Sequence, residues 1–342
     1  MKRWRLLRYL LPLIGLAVLA VVVWKSGPEV LWNQLINFNW RFIPVLSLSL
    51  VNYFLFATAW SLCLGPQGDS PKGGSPKQKN PSFWRLLKVK MIGEAVNATT
   101  PLNFAAGDPL RVYLLRGDIP WQGGTRSIVV DRSLYTLAVI SFIAIGFGLF
   151  FSYWVLPVRM VFQLAGGLAV LFVAILSLFL VQRRGLFEVL LKIGDRIQAT
   201  RRISPEKRKE LLEVDHLIRQ AYREGGWRVA AAFGCHFMTR CVMVAETALI
   251  LYFLGLPLPV TALWGLTAMV PLCNFVFSFI PGSLGILEGV NGLVFYFMKL
   301  NPAIGVSLQI IRHLRSGFFV TTGWLLLSFY RARNKASSLS TV

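Results

Sequence analysis

Six charged side chains stand inside apolar stretches of this 342-residue sequence: Asp131, Arg132, Arg240, Glu246, Arg312 and Arg315. A charge at the centre of an apolar layer costs about 2.5–3.5 kcal/mol even on a lenient insertion scale, so each needs a reason. The four bases are all arginine and none is lysine. The guanidinium fork grips phosphate bidentately and stays charged when partly dehydrated. These residues therefore suit a path for an anionic headgroup or an ion. The competing reading is internal pairing, Arg132 with Glu246 or Arg315 with Glu288, which would hold helices together without touching any ligand. Positive charge is left over after such pairing, and that favours the path. His236 and Arg240 are four apart on one helical face, so His236 is placed to assist Arg240. His313 points away from Arg312 and Arg315 and reads as a satisfied interior histidine. His216, in a charged connection, says little.

A second pattern is a pair of polar interruptions in which proline and glycine precede an acid. One runs Asn97…Pro101…Gly107-Asp108-Pro109-Leu110-Arg111, the other Asn274…Pro281-Gly282-Ser283-Leu284-Gly285-Ile286-Leu287-Glu288-Gly289. Proline and glycine break a helix, and the next half-helix begins with free N–H groups and a positive dipole end, which can cradle an anion. Paired broken segments in two halves of a transporter point to a midplane site. Here both interruptions start from the same face, which suits parallel and not inverted repeats.

The elements that must carry these residues are apolar runs at about 6–24, 42–64, 127–152, 161–181, 229–254, 258–280, 284–299 and 303–329. The seventh is short and reads as a half-helix. Residues 84–116 are helical but too polar for a plain span, and the Asn97–Pro101 break makes them a re-entrant hairpin, because freed backbone groups at membrane depth need cover. The composition agrees: 55% hydrophobic, 15% charged, mean hydropathy +0.58. Soluble domains carry about a quarter charged residues. The expected fold is all-α, a polytopic transmembrane bundle of about eight spans with re-entrant or broken helices.

A net charge of +21 suggests a nucleic-acid binder until its distribution is read. The bases sit in the connections, 28 on one side of the eight-span path and 4 on the other. That positive-inside split puts both termini in the cytoplasm, in a cytoplasmic (inner) membrane, and makes anionic lipid the partner, with no nucleic acid. The apolar run after Lys2-Arg3-Trp4-Arg5 resembles a signal peptide, but no small-residue cleavage site follows, so it reads as an uncleaved first span. The expected organisation is one membrane domain over 1–335, with a flexible loop at 65–82 and a tail at 336–342. A basic amphipathic helical segment spans 182–228. Within it, Leu186, Leu190, Ile193 and Ile197 make one apolar face, and Ser204-Pro205-Glu206 starts a second helix. It either lies on the inner leaflet or packs on the spans.

Enzyme signatures are missing. There is no GxxxxGK[ST], HExxH, GxSxG or Asp-x-Asp pattern, so no catalytic residue, cofactor or metal is expected. Cys63, Cys235, Cys241 and Cys273 have no CxxC spacing and read as small apolar residues. Asn97-Ala98-Thr99 matches a glycosylation sequon on the wrong side.

Gly107-Asp108-x-x-Arg111 after the Asn97…Pro101 break, Asp131-Arg132, Pro281-Gly282-Ser283-Leu284-Gly285-x-x-Glu288, and Arg312 with Gly323 together resemble the flippase-like family. That family includes the transmembrane region of lysylphosphatidylglycerol synthase. The resemblance implies a bundle that moves a phospholipid or polyprenyl-linked lipid between leaflets. Pro101, Asp108, Arg111, Arg132, Pro281, Gly285, Glu288 and Arg312 are its family-like positions. Ser283 stands where glycine is usual, and Tyr135 where an acid often follows the Asp/Glu-Arg pair. The synthase's soluble aminoacyl-transferase domain is absent, so lysyl transfer is not expected of this chain alone. The leading expectation is a translocator using Arg132, Arg240, Arg312 and Arg315 for the headgroup, with Asp108 and Glu288 orienting them or taking up a proton. The second is an accessory subunit that holds a lipid-modifying enzyme through 182–228, and the third is a lipid transferase.

Overall fold

The computed structural model describes residues 2–64, 81–100, 106–153, 158–197, 203–277 and 283–339. Among them every regular element is a helix. The order is α1 (Lys2–Ser26), α2 (Pro28–Phe38), a 3-10 turn, α3 (Phe42–Cys63), α4 (Phe83–Thr99), α5 (Gly107–Leu115), α6 (Trp121–Tyr153), α7 (Val158–Arg196), α8 (Pro205–Glu224), α9 (Gly226–Phe253), α10 (Val260–Val276), α11 (Ile286–Phe297) and α12 (Pro302–Leu339). Helical stretches long and apolar enough to cross a membrane are Pro28–Cys63, Trp121–Leu149 and Gly226–Phe253, with shorter apolar helices at Gly15–Ser26, Val260–Asn274 and Ile286–Phe297. The chain is a membrane helical protein.

Local chemistry sets the ends of these helices. Ser82 caps α4 by accepting from the Arg85 N–H at 3.3 Å, and Ser204 caps α8 from Lys207 at 3.3 Å, with Pro205 in the first turn. Residues 84–116 do form two helices around a break, α4 and α5. The sequence reading missed α2: Gly27-Pro28 starts it, and Leu31 and Phe38 turn inward. The apolar face expected at 186–197 is real, yet Leu190, Ile193 and Ile197 are exposed. This stretch bends away from the rest of α7 at Gly185, where φ is 124°. The buried Asp215 carboxylate accepts from the Phe187 and Glu188 N–H groups at 3.0 and 2.8 Å and so caps the second half of α7. α8 itself packs Val214 and Ile218 against α3, α6 and α9. The expected loop at 65–82 lies outside the described residues but for its last two. α12 runs to Leu339, past the boundaries expected at 329 and 335.

α12 is the spine on which both broken segments lie. Gly323 has no side chain to hold α4 away, and Met91 and Ala95 sit directly against it. Tyr330 reaches the Leu114 carbonyl at 3.4 Å, so α4 and α5 lie along the C-terminal half of α12. α11 lies along the N-terminal half: Gly305 faces Asn291 and Phe295, while Glu288 bonds His313. Both α4 and α11 run antiparallel to α12. The C-terminal end of α4 and the N-terminal end of α11 therefore approach the middle of α12 from opposite ends. This corrects the expectation that both interruptions start from one face. α11 has 12 residues and rises about 18 Å, too little for a hydrocarbon layer about 30 Å thick. The half-helix expected here is therefore what α11 is by length.

Candidate functional site

The charged residues gather in two clusters strung along α9. In the first, α4 supplies Lys90 and Glu94, α5 Asp108 and Arg111, α6 Asp131, Arg132 and Tyr135, and α9 His236 and Arg240. Lys90 Nζ donates to Asp131 Oδ2 at 3.0 Å, and His236 Nε2 donates to Asp131 Oδ1 at 3.0 Å. All three side chains are buried. Arg132 grips Asp108 bidentately at 2.7 and 2.8 Å. Arg111 pairs with Asp108 at 2.9 Å and with Glu94. It lies across Gly93, where any side chain would displace it. The break between α4 and α5 is stapled by Asn97 Oδ1, which accepts from the Gly107 N–H at 2.7 Å.

The second cluster joins α3, α9, α10, α11 and α12. Glu246 accepts from Arg315 and from Ser49 Oγ (3.1 Å), while Arg312 Nε stands 4.0 Å from its other oxygen. Arg312 Nη2 donates to Thr247 Oγ1, which bonds Thr267 at 2.8 Å. Glu288 accepts from the Gly285 N–H at 2.8 Å, capping α11, and from His313 Nδ1 at 2.6 Å. Between the clusters Tyr53 lies within electrostatic reach of Glu94, Arg111 and Arg315.

Across the two clusters six bases (Lys90, Arg111, Arg132, Arg240, Arg312, Arg315) thus stand with five acids (Glu94, Asp108, Asp131, Glu246, Glu288). Two arginines are undercompensated. Arg312 is 3% exposed and leaves Nε and Nη1 without hydrogen-bond partners. Arg240 is 7% exposed and forms no ion pair among the described residues; it lies 5.2 Å from the Tyr135 ring centroid. Burying an uncompensated charge costs several kcal/mol, whereas a desolvated cation–π contact returns about 2 kcal/mol. Both sites therefore have room, electrostatically, for an anion.

The structure brings together Asp108, Arg111 and Arg132 in one cluster and Glu246, Arg312 and Arg315 in the other. Glu288 adjoins the second through α12, and Arg240 belongs to the first, against the Tyr135 ring. Pro101 and Pro281 lie outside the described residues. Internal pairing, the competing reading, does occur but with other partners: Arg132 takes Asp108 and not Glu246, and Arg315 takes Glu246 and not Glu288. His236 serves Asp131, with no hydrogen bond to Arg240. Sequence reasoning missed Lys90 and Glu94, although their i, i+4 spacing inside an otherwise apolar turn was visible. Among the described residues no group of histidine, cysteine, aspartate or glutamate is arranged to hold a metal.

Ser283 adopts φ +49°, a region that costs a residue with a side chain about 1–2 kcal/mol, and its buried hydroxyl has no partner. Ser283→Gly is therefore expected to raise stability by about 1 kcal/mol or more, read as a higher thermal midpoint in detergent. A lower midpoint would show that the hydroxyl has a role of its own.

The transmembrane region of lysylphosphatidylglycerol synthase, as a family profile, matches residues 12–323. The chain is 22% identical over 333 residues to a UPF0104 membrane protein of Pyrococcus horikoshii, covering 92% of this chain and 94% of that protein. No solved structure matches.

Proposed function

Because this integral membrane protein belongs to the lysylphosphatidylglycerol synthase transmembrane-region family, we propose that it is a flippase-like translocator of an anionic phospholipid or isoprenoid-linked lipid. The observation that carries this reading is the buried ionic track along α9, with an undercompensated arginine at Arg240 and another at Arg312. From His236 to Thr247 the track climbs about 16 Å, roughly half a hydrocarbon layer. A headgroup phosphate needs such a succession of cations to leave water, and structural pairs alone would close the charge balance.

In the proposed topology both termini are cytoplasmic in the inner membrane, as the basic connections favour. α10 and α11 enter from the outer face without crossing, which leaves six crossings, by α1, α3, α6, α7, α9 and α12, an even number that keeps both termini on one side. α4 and α5 then enter as a re-entrant hairpin from the inner face, and α11 opens toward the outer face. The breaks meet near mid-depth, the inverted arrangement that transporters use around a central site. Asp108 and Glu246 hold Arg132 and Arg315 in place, and the lipid tails stay in the bilayer while the headgroup passes.

The test is a reconstitution. Proteoliposomes holding the purified chain and a fluorescent phosphatidylglycerol are expected to exchange the probe between leaflets at least tenfold faster than protein-free vesicles. Rates no faster than those of protein-free vesicles, for anionic and isoprenoid-linked probes alike, would overturn the translocator reading. The exposed Leu190, Ile193 and Ile197 beside Lys192 and Arg196 favour a second reading, an accessory subunit docking a lipid-modifying enzyme. It predicts co-purification with that enzyme and no flipping by the chain alone.

A further inference from the structure

α6 and α9 face each other as a ladder with two rungs. Asp131 and Tyr135 are four apart on α6, and His236 and Arg240 are four apart on α9, so each pair lines one face of its helix. The first rung is closed: His236 Nε2 donates to Asp131 at 3.0 Å, and Lys90 holds the other carboxylate oxygen. At the second rung the position opposite the cation is an aromatic ring. The Arg240 guanidinium carbon lies 5.2 Å from the Tyr135 ring centroid. The same ring has Arg132 at 6.0 Å and packs edge-on against His236 at 5.6 Å. Arg240 is more than nine-tenths buried, and its Nε has no hydrogen-bond partner. The neighbouring bases are committed elsewhere, Lys90 to Asp131 and Arg132 to Asp108.

We propose that Arg240, held beneath Tyr135, is a docking station for a phosphate oxyanion, either the phosphodiester of a lipid headgroup or inorganic phosphate. This rests on the translocator reading, in which it gives the headgroup a resting place before Arg312. Tyr135 fixes the guanidinium through its ring face without neutralising it, so the charge and the planar fork stay available to an anion. Thr247, the residue that holds Arg312, follows seven positions along α9 on nearly the same face, about 10.5 Å further. A phosphate released from Arg240 therefore meets Arg312 next.

The test uses the full chain in neutral detergent, titrated with dihexanoyl phosphatidylglycerol and separately with sodium phosphate at constant ionic strength. Wild type is expected to bind at least one of the two ten or more times tighter than Arg240→Ala, with Arg240→Lys between them. Lipid binding displaced by phosphate marks chemistry shared with the free anion; lipid binding unmoved by phosphate marks the headgroup as the source. Both outcomes support the station. Tyr135→Glu covers the case in which Arg240→Ala fails to fold, because its carboxylate closes the second rung. It is expected to keep or raise the thermal midpoint and to lose binding. Binding unchanged in Tyr135→Glu, or no binding of either probe by wild type, overturns the proposal. The two readings also fail separately. Flipping that persists at full rate in Tyr135→Glu removes the station and leaves the translocator, whereas phosphate binding at Arg240 without any flipping by wild type does the reverse.

Discussion

Arg312→Ala is expected to cut lipid exchange in proteoliposomes by about 30- to 1,000-fold while the protein still folds. Removing one fixed donor from a developing anionic contact costs about 2–4 kcal/mol in enzymes, and each 1.36 kcal/mol is tenfold in rate. The fold survives because little structure hangs on this side chain. Its one short hydrogen bond goes to Thr247, which keeps Thr267 as a partner. Glu246 keeps Arg315 and Ser49, so no buried acid is stranded. Arg312→Lys should recover part of the rate, since it restores charge without the planar fork. The variant must elute as wild type on size exclusion and keep its helical circular dichroism. Wild-type exchange from such a preparation would sink the role given to Arg312.

This asymmetry between Arg312 and Arg315 was beyond reach of the sequence, in which the two look equivalent. Both are arginines three apart on one helix, yet only Arg315 faces Ser49 and Glu246 closely. Spacing along one helix fixes which residues share a face, and that much is legible: His236 with Arg240, the cap at Ser204, the break after Asn97. Which face meets which depends on packing between helices that are far apart in sequence. Asp131 and His236 are 105 residues apart, and no local pattern joins them. The direction of the second break depended on whether α11 crosses, which a 12-residue apolar run leaves open. Lys90 and Glu94 lie in a helix whose plainest sequence signal is the Asn97 break, and only the packing of α5 and α6 against α4 buries Lys90 and pairs both charges. The departures from the family pattern have local physical consequences. Tyr135 takes two arginines on its ring where a carboxylate would neutralise them, and Ser283 occupies a backbone region that favours glycine.

The largest stability effect is expected at Asp131. Its two oxygens serve Lys90 and His236, and all three side chains are out of contact with solvent. Asp131→Ala leaves the Lys90 ammonium buried against the Phe56 ring, 5.3 Å away, with Glu94 at 3.9 Å as its remaining acid. Glu94 is already held by Arg111, so it cannot replace what Asp131 supplied. Breaking a buried pair by removing one member costs about 3–5 kcal/mol, much of it from the stranded charge. The loss should appear as a lower unfolding midpoint in mixed micelles. The double variant Lys90→Met with Asp131→Leu removes both charges at similar volume and should regain most of that loss, since a buried pair replaced by apolar side chains is often neutral. The double variant also separates stability from passage. If the first cluster only ties α4 to α6 and α9, the double variant should exchange lipid at the wild-type rate. If the cluster's charges set the potential that the headgroup meets on its way to Arg240 and Arg312, the double variant should be stable and slow. A single Asp131→Ala variant within about 0.5 kcal/mol of wild type, the range of ordinary surface substitutions, would mean that Lys90 finds another acid or leaves the interior.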